Sequence, residues 1–303
     1  MKPVDCAVPS ADCGLCALRS RRLFTRWLAA SGVAAWAGAA TAQDGREIGV
    51  RDEVGRISHL AKLVPAEEVE AEAAQQYLQM TREFGTQRAL AAPDNAQVLR
   101  LRAISQRIIP YAPAWNARAR QWRWEVNLLV SNELNAFCMP GGKIAFYSGI
   151  LQKLQLNDDE VAAIMGHEIA HALREHARER MGKSMATRGG IDIVANWLGL
   201  GALARTAANV GGQLLSLKFS RDDETEADIV GMDLAARAGY DPAAGVALWQ
   251  KMLAASKGAP PQWMSTHPAS DTRIRDIQAR LPKVQPLYER AAKPTQRYAP
   301  YPA

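Results

Sequence analysis

Apolar and polar positions divide this chain into several helical segments and one short region that alternates as a strand does. Early glutamates and a late Arg82 indicate a helix over 66–84, and a second pattern over 95–109 stops at Pro110. Three further helical segments follow in the second half of the chain, over 222–238, 242–255 and 268–280. The pattern therefore predicts an α+β protein that is mainly helical.

The alternating region predicts a small sheet. Residues 122–128 alternate in part, as a half-buried strand would, and 135–138 and 143–146 flank the turn signal P-G-G. The edge of the expected hairpin could hold an extended substrate by strand addition. That interpretation makes three residues substrate-binding candidates: Asn135, Ala136 and Phe137. A hairpin that only covers the core is the alternative.

The helical pattern after the hairpin carries the most informative motif. Asn157 and Glu160 have the spacing of an N-cap and its reciprocal carboxylate, and basic residues toward the other end lead to Gly182 as a candidate stop. Residues 167–171 read H-E-I-A-H and fall in the middle of this single long helix. Side chains in the middle of a helix are held rigidly, so the geometry of the motif is fixed.

Two histidines four residues apart lie on the same side of a helix, because four steps of about 100° nearly close one turn. His167 and His171 can therefore bind one metal ion, with Glu168 beside them to activate a water molecule. The chain has only five histidines in 303 residues, which makes a chance match rare. A surface helix that happens to carry two histidines is the alternative.

A catalytic zinc ion needs three protein ligands and one open position, so another segment must supply a ligand. Residues 220–228 read S-R-D-D-E-T-E-A-D, and Glu224 and Asp228 share the face of the predicted helix that carries small residues. Glu224 can bind the metal while Asp228 accepts the free ring N–H of a ligand histidine. The other acidic positions of this helix are interpreted as solvated: Asp222, Asp223, Glu226 and Asp233.

A last motif, H-P-A-S-D-T-R-I, begins at His267, and Pro268 marks the start of a helix. Taken alone, His267 would be a cap or surface histidine. However, the chain carries four motifs in order: the hairpin motif at 135–144, H-E-x-x-H, S-R-x-x-E-x-x-A-D and H-P-x-x-x-x-R-I. Together and in this order, they resemble the metallopeptidases typified by HtpX, BepA, LoiP and the CAAX prenyl proteases. The resemblance covers about 95–285 and is nearest to the short periplasmic LoiP-like branch.

This resemblance implies a zincin-like core, one Zn²⁺ ion per chain and the activity of a zinc endopeptidase. His167, His171 and Glu224 would bind the ion, and Glu168 would be the general base that takes a proton from water and delivers it to the leaving amine. His267 would lie near the metal, where it either steadies the oxyanion or occupies the open coordination position. It is therefore a second candidate catalytic residue.

The resemblance also implies supporting residues around the metal. Asp228 would hold a ligand histidine from behind, and Arg221 and Arg273 would join the site by ion pairs. Cys138 could be proposed as a nucleophile, but we interpret it as a packed residue because it lies in a predicted strand without an adjacent base.

The first 42 residues have the features of a cleavable export signal. Two adjacent arginines at 21–22 resemble a twin-arginine signal, a modest apolar run extends over 27–40, and A-T-A precedes Gln43 as a cleavage site. A general secretory route stays open, and an uncleaved anchor is a further option. Three of the four cysteines precede the apolar run, so the mature chain would carry Cys138 alone and no disulfide. These features predict a periplasmic protein.

The composition argues against nucleic acid as a partner. Half of the formal net charge of +6 comes from residues 1–42, and no basic stripe is interleaved with aromatic residues. An apolar stretch over 189–217 is interrupted by polar residues, which favours helices that cover the site, with association with a membrane surface as the next option.

The sequence thus predicts four parts: a signal over 1–42, an irregular segment and helix over 43–94, a peptidase domain over 95–285 and a mobile tail over 286–303. The leading hypothesis is a periplasmic zinc endopeptidase that acts on misfolded or unassembled envelope proteins. A chaperone-like protein whose metal site is blocked by His267 is the second hypothesis. A membrane-embedded peptidase is the third, disfavoured because no uninterrupted span of adequate length is present.

Overall fold

The computed structural model describes residues 49–186, 218–256, 262–268 and 270–301. The predicted export signal and the apolar stretch over 189–217 lie outside the described residues. Within the described residues, no helix has the length and apolar character needed to cross a membrane.

A three-stranded sheet lies beside the helices, and the predicted hairpin is confirmed. Its strands are β1 (Glu125–Leu129), β2 (Ala136–Met139) and β3 (Lys143–Tyr147), in the order β1-β3-β2. β3 is parallel to β1 and antiparallel to β2, which leaves β2 at an edge. The first strand begins later than predicted: Trp122 and Trp124 lie ahead of it, with their rings 5.3 Å apart.

The described residues form nine α-helices, and the prediction of a mainly helical α+β protein is confirmed. Their bounds are α1 Ala66–Thr86, α2 Ala96–Ile108, α3 Ser148–Lys153, α4 Asp158–Leu173, α5 His176–Ala186, α6 Arg221–Arg237, α7 Ala244–Ala255, α8 Gln262–Thr266 and α9 Asp271–Arg290. α4 is almost entirely buried at the centre of this arrangement.

The predicted capping box at the start of α4 is confirmed, but the single long helix is wrong. Asn157 Oδ1 accepts from the Glu160 backbone N–H at 2.9 Å, and the Glu160 carboxylate accepts from the Asn157 N–H at 2.8 Å. α4 ends at Leu173, and Glu175 adopts a left-handed conformation with φ 59° before α5 begins. Gly182 does not end a helix: it lies inside α5, where a Cβ would collide with the carbonyl oxygen of Leu60 at 1.9 Å.

The C-terminal part also departs from the prediction. α9 begins at Asp271 rather than at Pro268, with Ser270 as its N-cap, and it continues past the predicted boundary of the tail to Arg290. The segment that follows folds back on the start of α4. There, the Tyr298 backbone N–H donates to Asp158 Oδ2 at 2.9 Å. The tail therefore closes over the N-terminal end of the motif helix.

α4 and α6 cross with their backbones almost in contact, and two glycines allow this. A Cβ on Gly166 would lie 2.7 Å from the carbonyl oxygen of Gly231, and a Cβ on Gly231 would lie 2.8 Å from the backbone nitrogen of His167. Both atoms belong to backbone that cannot move aside cheaply. This crossing brings the two motif helices together.

We predict that Gly231→Ala destabilises the protein by about 1–3 kcal/mol, because the added methyl group overpacks the crossing of α4 and α6. Thermal unfolding monitored by circular dichroism measures the effect. Gly85→Ala is the matched control, since Gly85 lies in α1 and none of the described residues comes within 4 Å of where its Cβ would stand. An equal change in both variants would contradict the importance of the crossing.

Candidate metal centre

Four buried side chains from three parts of the chain converge on one point. His167 and His171 come from α4, Glu224 comes from the first turn of α6, and His267 follows α8. One potential ligand atom from each of them lies within 4.8 Å of all the others. The structure therefore brings together every predicted metal ligand and the predicted His267.

The distances suit a tetrahedral ion. His167 Nε2 lies 3.1 Å from His171 Nε2 and 3.5 Å from Glu224 Oε2, and His171 Nε2 lies 3.6 Å from Glu224 Oε1. Ligand atoms ~2.0–2.1 Å from a tetrahedral zinc ion stand ~3.3–3.4 Å apart. His267 Nδ1 lies 3.3 Å from His167 Nε2 and 2.9 Å from Glu224 Oε1, where it could supply a fourth ligand.

Asp228 and Arg273 both contact the candidate ligands, in the positions that the family resemblance implied. His167 Nδ1 lies 3.1 Å from Asp228 Oδ1, and Arg273 pairs with both oxygens of Asp228. Arg273 Nη1 also lies 2.6 Å from Glu224 Oε2, and its guanidinium stacks 3.7 Å above the ring of Trp249. Arg221, by contrast, is exposed at the start of α6 and makes no ion pair with the described residues, so its role stays a prediction.

The charge of the site favours a cation. Burial raises the pKa of Glu224, but neighbouring histidines, His267 foremost, outweigh burial and lower it below its usual range. Burial likewise raises the pKa of Asp228, but Arg273 and His167 lower it below its usual range. Burial lowers the pKa of His167, yet hydrogen bonds to Asp228 and Glu224 raise it to about 9. Burial lowers the pKa of His171 well below its usual range, so this ring stays neutral. Two carboxylates that face one guanidinium attract further positive charge, which a divalent cation can supply.

The sequence matches Peptidase family M48 over residues 96–281, a range that includes every residue of the cluster. The chain belongs to Peptidase family M48. The match confirms the metallopeptidase resemblance that the four motifs indicated.

Three relatives illustrate the breadth of the M48 family around this chain. It is 38% identical to the mitochondrial metalloendopeptidase OMA1 of Schizosaccharomyces pombe over 166 residues, which are 54% of this chain and 48% of that protein. It is 30% identical to the metalloprotease LoiP of Escherichia coli over 155 residues (50% and 60%) and 27% identical to the beta-barrel assembly-enhancing protease of Yersinia pestis over 186 residues (56% and 37%). The chain thus spans about half the length of these relatives, and they do not single out the LoiP-like branch.

Trp263 is a member of the M48 site that the sequence analysis missed. Its indole N–H donates to Glu168 Oε1 at 2.7 Å, and its ring stacks on Trp249 with centroids 4.9 Å apart. Trp263 is fully buried and stands four residues before His267, whose backbone N–H donates to its carbonyl oxygen at 2.8 Å. A tryptophan one helical turn before the H-P motif was the signal that could have found it.

The acidic residues interpreted as solvated are not all solvated. Asp223 is buried and caps α6 together with Ser220, and Asp233 is fully buried with Arg237 bound to it at 2.8 Å. Glu226 is only partly exposed and contacts both Arg174 and His176. The interpretation failed because it treated the face away from the metal as a surface, whereas other parts of the chain pack against it.

A groove runs between α4 and the edge strand β2. The groove is lined by the three predicted substrate-binding residues, which are Asn135, Ala136 and Phe137. Glu168 and His171 line it as well. Asn135 Oδ1 accepts from the Ala136 backbone N–H at 2.9 Å. Cys138 is buried in β2, where burial raises the pKa of its thiol well above the usual value, as expected of a packed residue rather than a nucleophile.

We predict that Trp263→Phe lowers kcat by roughly 10–100-fold and leaves KM nearly unchanged, because it removes a hydrogen bond of about 1.5–3 kcal/mol to the carboxylate of Glu168. Steady-state cleavage of a fluorogenic peptide measures both constants. Trp115→Phe is the matched control, since the indole nitrogen of Trp115 is buried and has no hydrogen-bond partner among the described residues. Equal kinetic losses in the two variants would remove the special role of Trp263.

Proposed function

We propose that this chain is a zinc-dependent endopeptidase that hydrolyses peptide bonds in misfolded or unassembled envelope proteins. The observation that carries the proposal is the convergence of His167, His171 and Glu224 at tetrahedral distances beside the carboxylate of Glu168. The relatives named as metalloendopeptidases and metalloproteases agree with this reaction class. The envelope substrates and a periplasmic location rest on the export signal expected over 1–42 and on the family resemblance.

A zinc ion held by these three ligands would supply Lewis acidity, which lowers the pKa of water to about 7 and polarises the scissile carbonyl. The residues of the chain do the rest. Trp263 holds one oxygen of Glu168, so the other oxygen is available to accept the proton of the attacking water and pass it to the leaving amine. No covalent intermediate with the protein is required.

The groove gives a physical reason for acting on unfolded chains. Its wall is the edge strand β2, so a substrate can bind in extended conformation through backbone hydrogen bonds. Such binding depends more on an extended conformation than on side-chain sequence. Folded proteins lack long extended segments that are free to pair, whereas misfolded proteins expose them.

We expect wild-type protein to cleave casein, an unfolded substrate, and Glu168→Gln to lose about 10²–10⁴-fold of the rate, because the amide cannot take up the proton of water. A chelated sample should lose activity in the same assay and recover it when zinc is added. Gel electrophoresis or release of labelled peptides measures the rates. Equal cleavage in all three samples would eliminate the peptidase proposal and favour the chaperone-like alternative.

The position of His267 favours self-inhibition as a property of the resting enzyme. Its Nδ1 atom lies 2.9 Å from Glu224 and 3.3 Å from His167, at the corner that a substrate or water would need. We therefore predict that His267→Ala cleaves casein several-fold faster than wild type, since the corner is then free. A lower rate at unchanged zinc content would instead assign His267 to catalysis.

A further inference from the structure

His176 is a buried histidine that the mechanism above does not use. In an unbroken helix, a residue five positions after His171 would point about 140° away from it. The break between α4 and α5, with the left-handed Glu175, instead turns His176 back toward the site. His176 Nδ1 lies 2.9 Å from His171 Nδ1, and only 1% of His176 is exposed.

The contact between the two rings requires a definite order of protons. Two ring nitrogens 2.9 Å apart share one proton, so one ring donates and the other accepts. His171 directs Nε2 at His167 and Glu224, and an imidazole that binds a metal through Nε2 carries its proton on Nδ1. His171 therefore donates to Nδ1 of His176, and His176 carries its own proton on Nε2.

Glu226 completes this order. His176 Nε2 lies 3.3 Å from Glu226 Oε2, and Arg174 Nε donates to the same oxygen at 2.9 Å. Arg174 is itself fixed, because its Nη2 donates to the Gly55 carbonyl oxygen at 2.6 Å. Each donor in this chain of hydrogen bonds thus has an acceptor. The chain leads from the ring of His171 through His176 to the partly exposed carboxylate of Glu226.

We propose that His176 is a positioning residue for zinc: it holds His171 in the tautomer and orientation that present Nε2 to the metal, and Glu226 holds His176 in turn. This inference rests on the proposed function. His176 performs for His171 the task that Asp228 performs for His167. It is not a further ligand, because its nearer nitrogen faces the side of His171 that points away from the cluster.

The two histidine ligands are therefore supported in different ways. His167 faces a carboxylate that Arg273 neutralises, whereas His171 faces a neutral imidazole. Phe219 adds a second restraint, because its ring stacks on His171 with centroids 4.0 Å apart and an interplanar angle of 26°. Stacking restrains the plane of the ring but cannot select its tautomer, so the hydrogen bond that His171 donates to His176 has a separate effect.

The test measures zinc affinity by competition with a chromophoric chelator at neutral pH, on full-length protein. His176→Phe should weaken zinc binding about 10–100-fold, the usual effect of losing a partner behind a metal ligand. His176→Asn should bind zinc within about 3-fold of wild type, because the Asn oxygen stands near the position of Nδ1 and can accept from His171. His59→Phe, at an exposed histidine outside the cluster, is the matched control.

The outcomes separate the inference from the proposed function. If wild-type protein binds no zinc, the proposed function fails. If wild type binds zinc and His176→Phe binds it equally well, the role of His176 is overturned. Should His176→Phe fail to fold, as judged by circular dichroism, Glu226→Ala replaces it at a partly exposed position and is expected to weaken zinc binding several-fold. Unchanged affinity in Glu226→Ala would likewise overturn the inference.

Discussion

The ion pairs of Arg273 with two buried carboxylates are the interaction on which the site depends. Arg273 comes from α9, Glu224 and Asp228 come from α6, and Asp228 in turn contacts His167 of α4. Removing one partner of a buried ion pair costs about 3–5 kcal/mol, whereas apolar residues of equal volume often stabilise a core just as well. A network of this kind is therefore a poor way to gain stability. Its value lies in fixing the charge and orientation of a metal-binding cluster.

The close approach of the α4 and α6 backbones sets the distance between Glu224 and the histidines of α4. Gly166 and Gly231 let α4 and α6 approach until a Cβ would collide with the opposite backbone. Glu224 lies seven residues before Gly231, about two turns of helix, and therefore on the same face. If the two helices were farther apart, the carboxylate of Glu224 would move away from His167 and His171 by about the same distance. Close packing of small residues thus decides whether the acid is a ligand or a solvated charge.

The sequence predicted what depends on local geometry, and the family resemblance supplied the convergence of Glu224 and His267 on the motif histidines; other tertiary contacts were missed. The cap formed by Asn157 and Glu160 and the spacing within H-E-x-x-H are local, so they were predictable. The break at Glu175 was not, because the charge gradient of α4 continues into α5 and gives no stop signal. The burial of Asp233 and the bond from Trp263 to Glu168 depend on distant packing partners, and periodicity carries no information about them.

The hydrogen bonds of Trp263 connect Glu168, the proposed general base, to the wall of the groove. The Trp263 backbone N–H donates to the Leu134 carbonyl oxygen at 3.1 Å, while its indole N–H donates to Glu168. Leu134 directly precedes Asn135 at the start of the edge strand, so α8 is fastened to the groove on one side and to the base on the other. His267 follows at the end of the same helix. Movement of α8 that displaced His267 would therefore also disturb Glu168 and the segment before β2, because Trp263 in the same short helix is bonded to both.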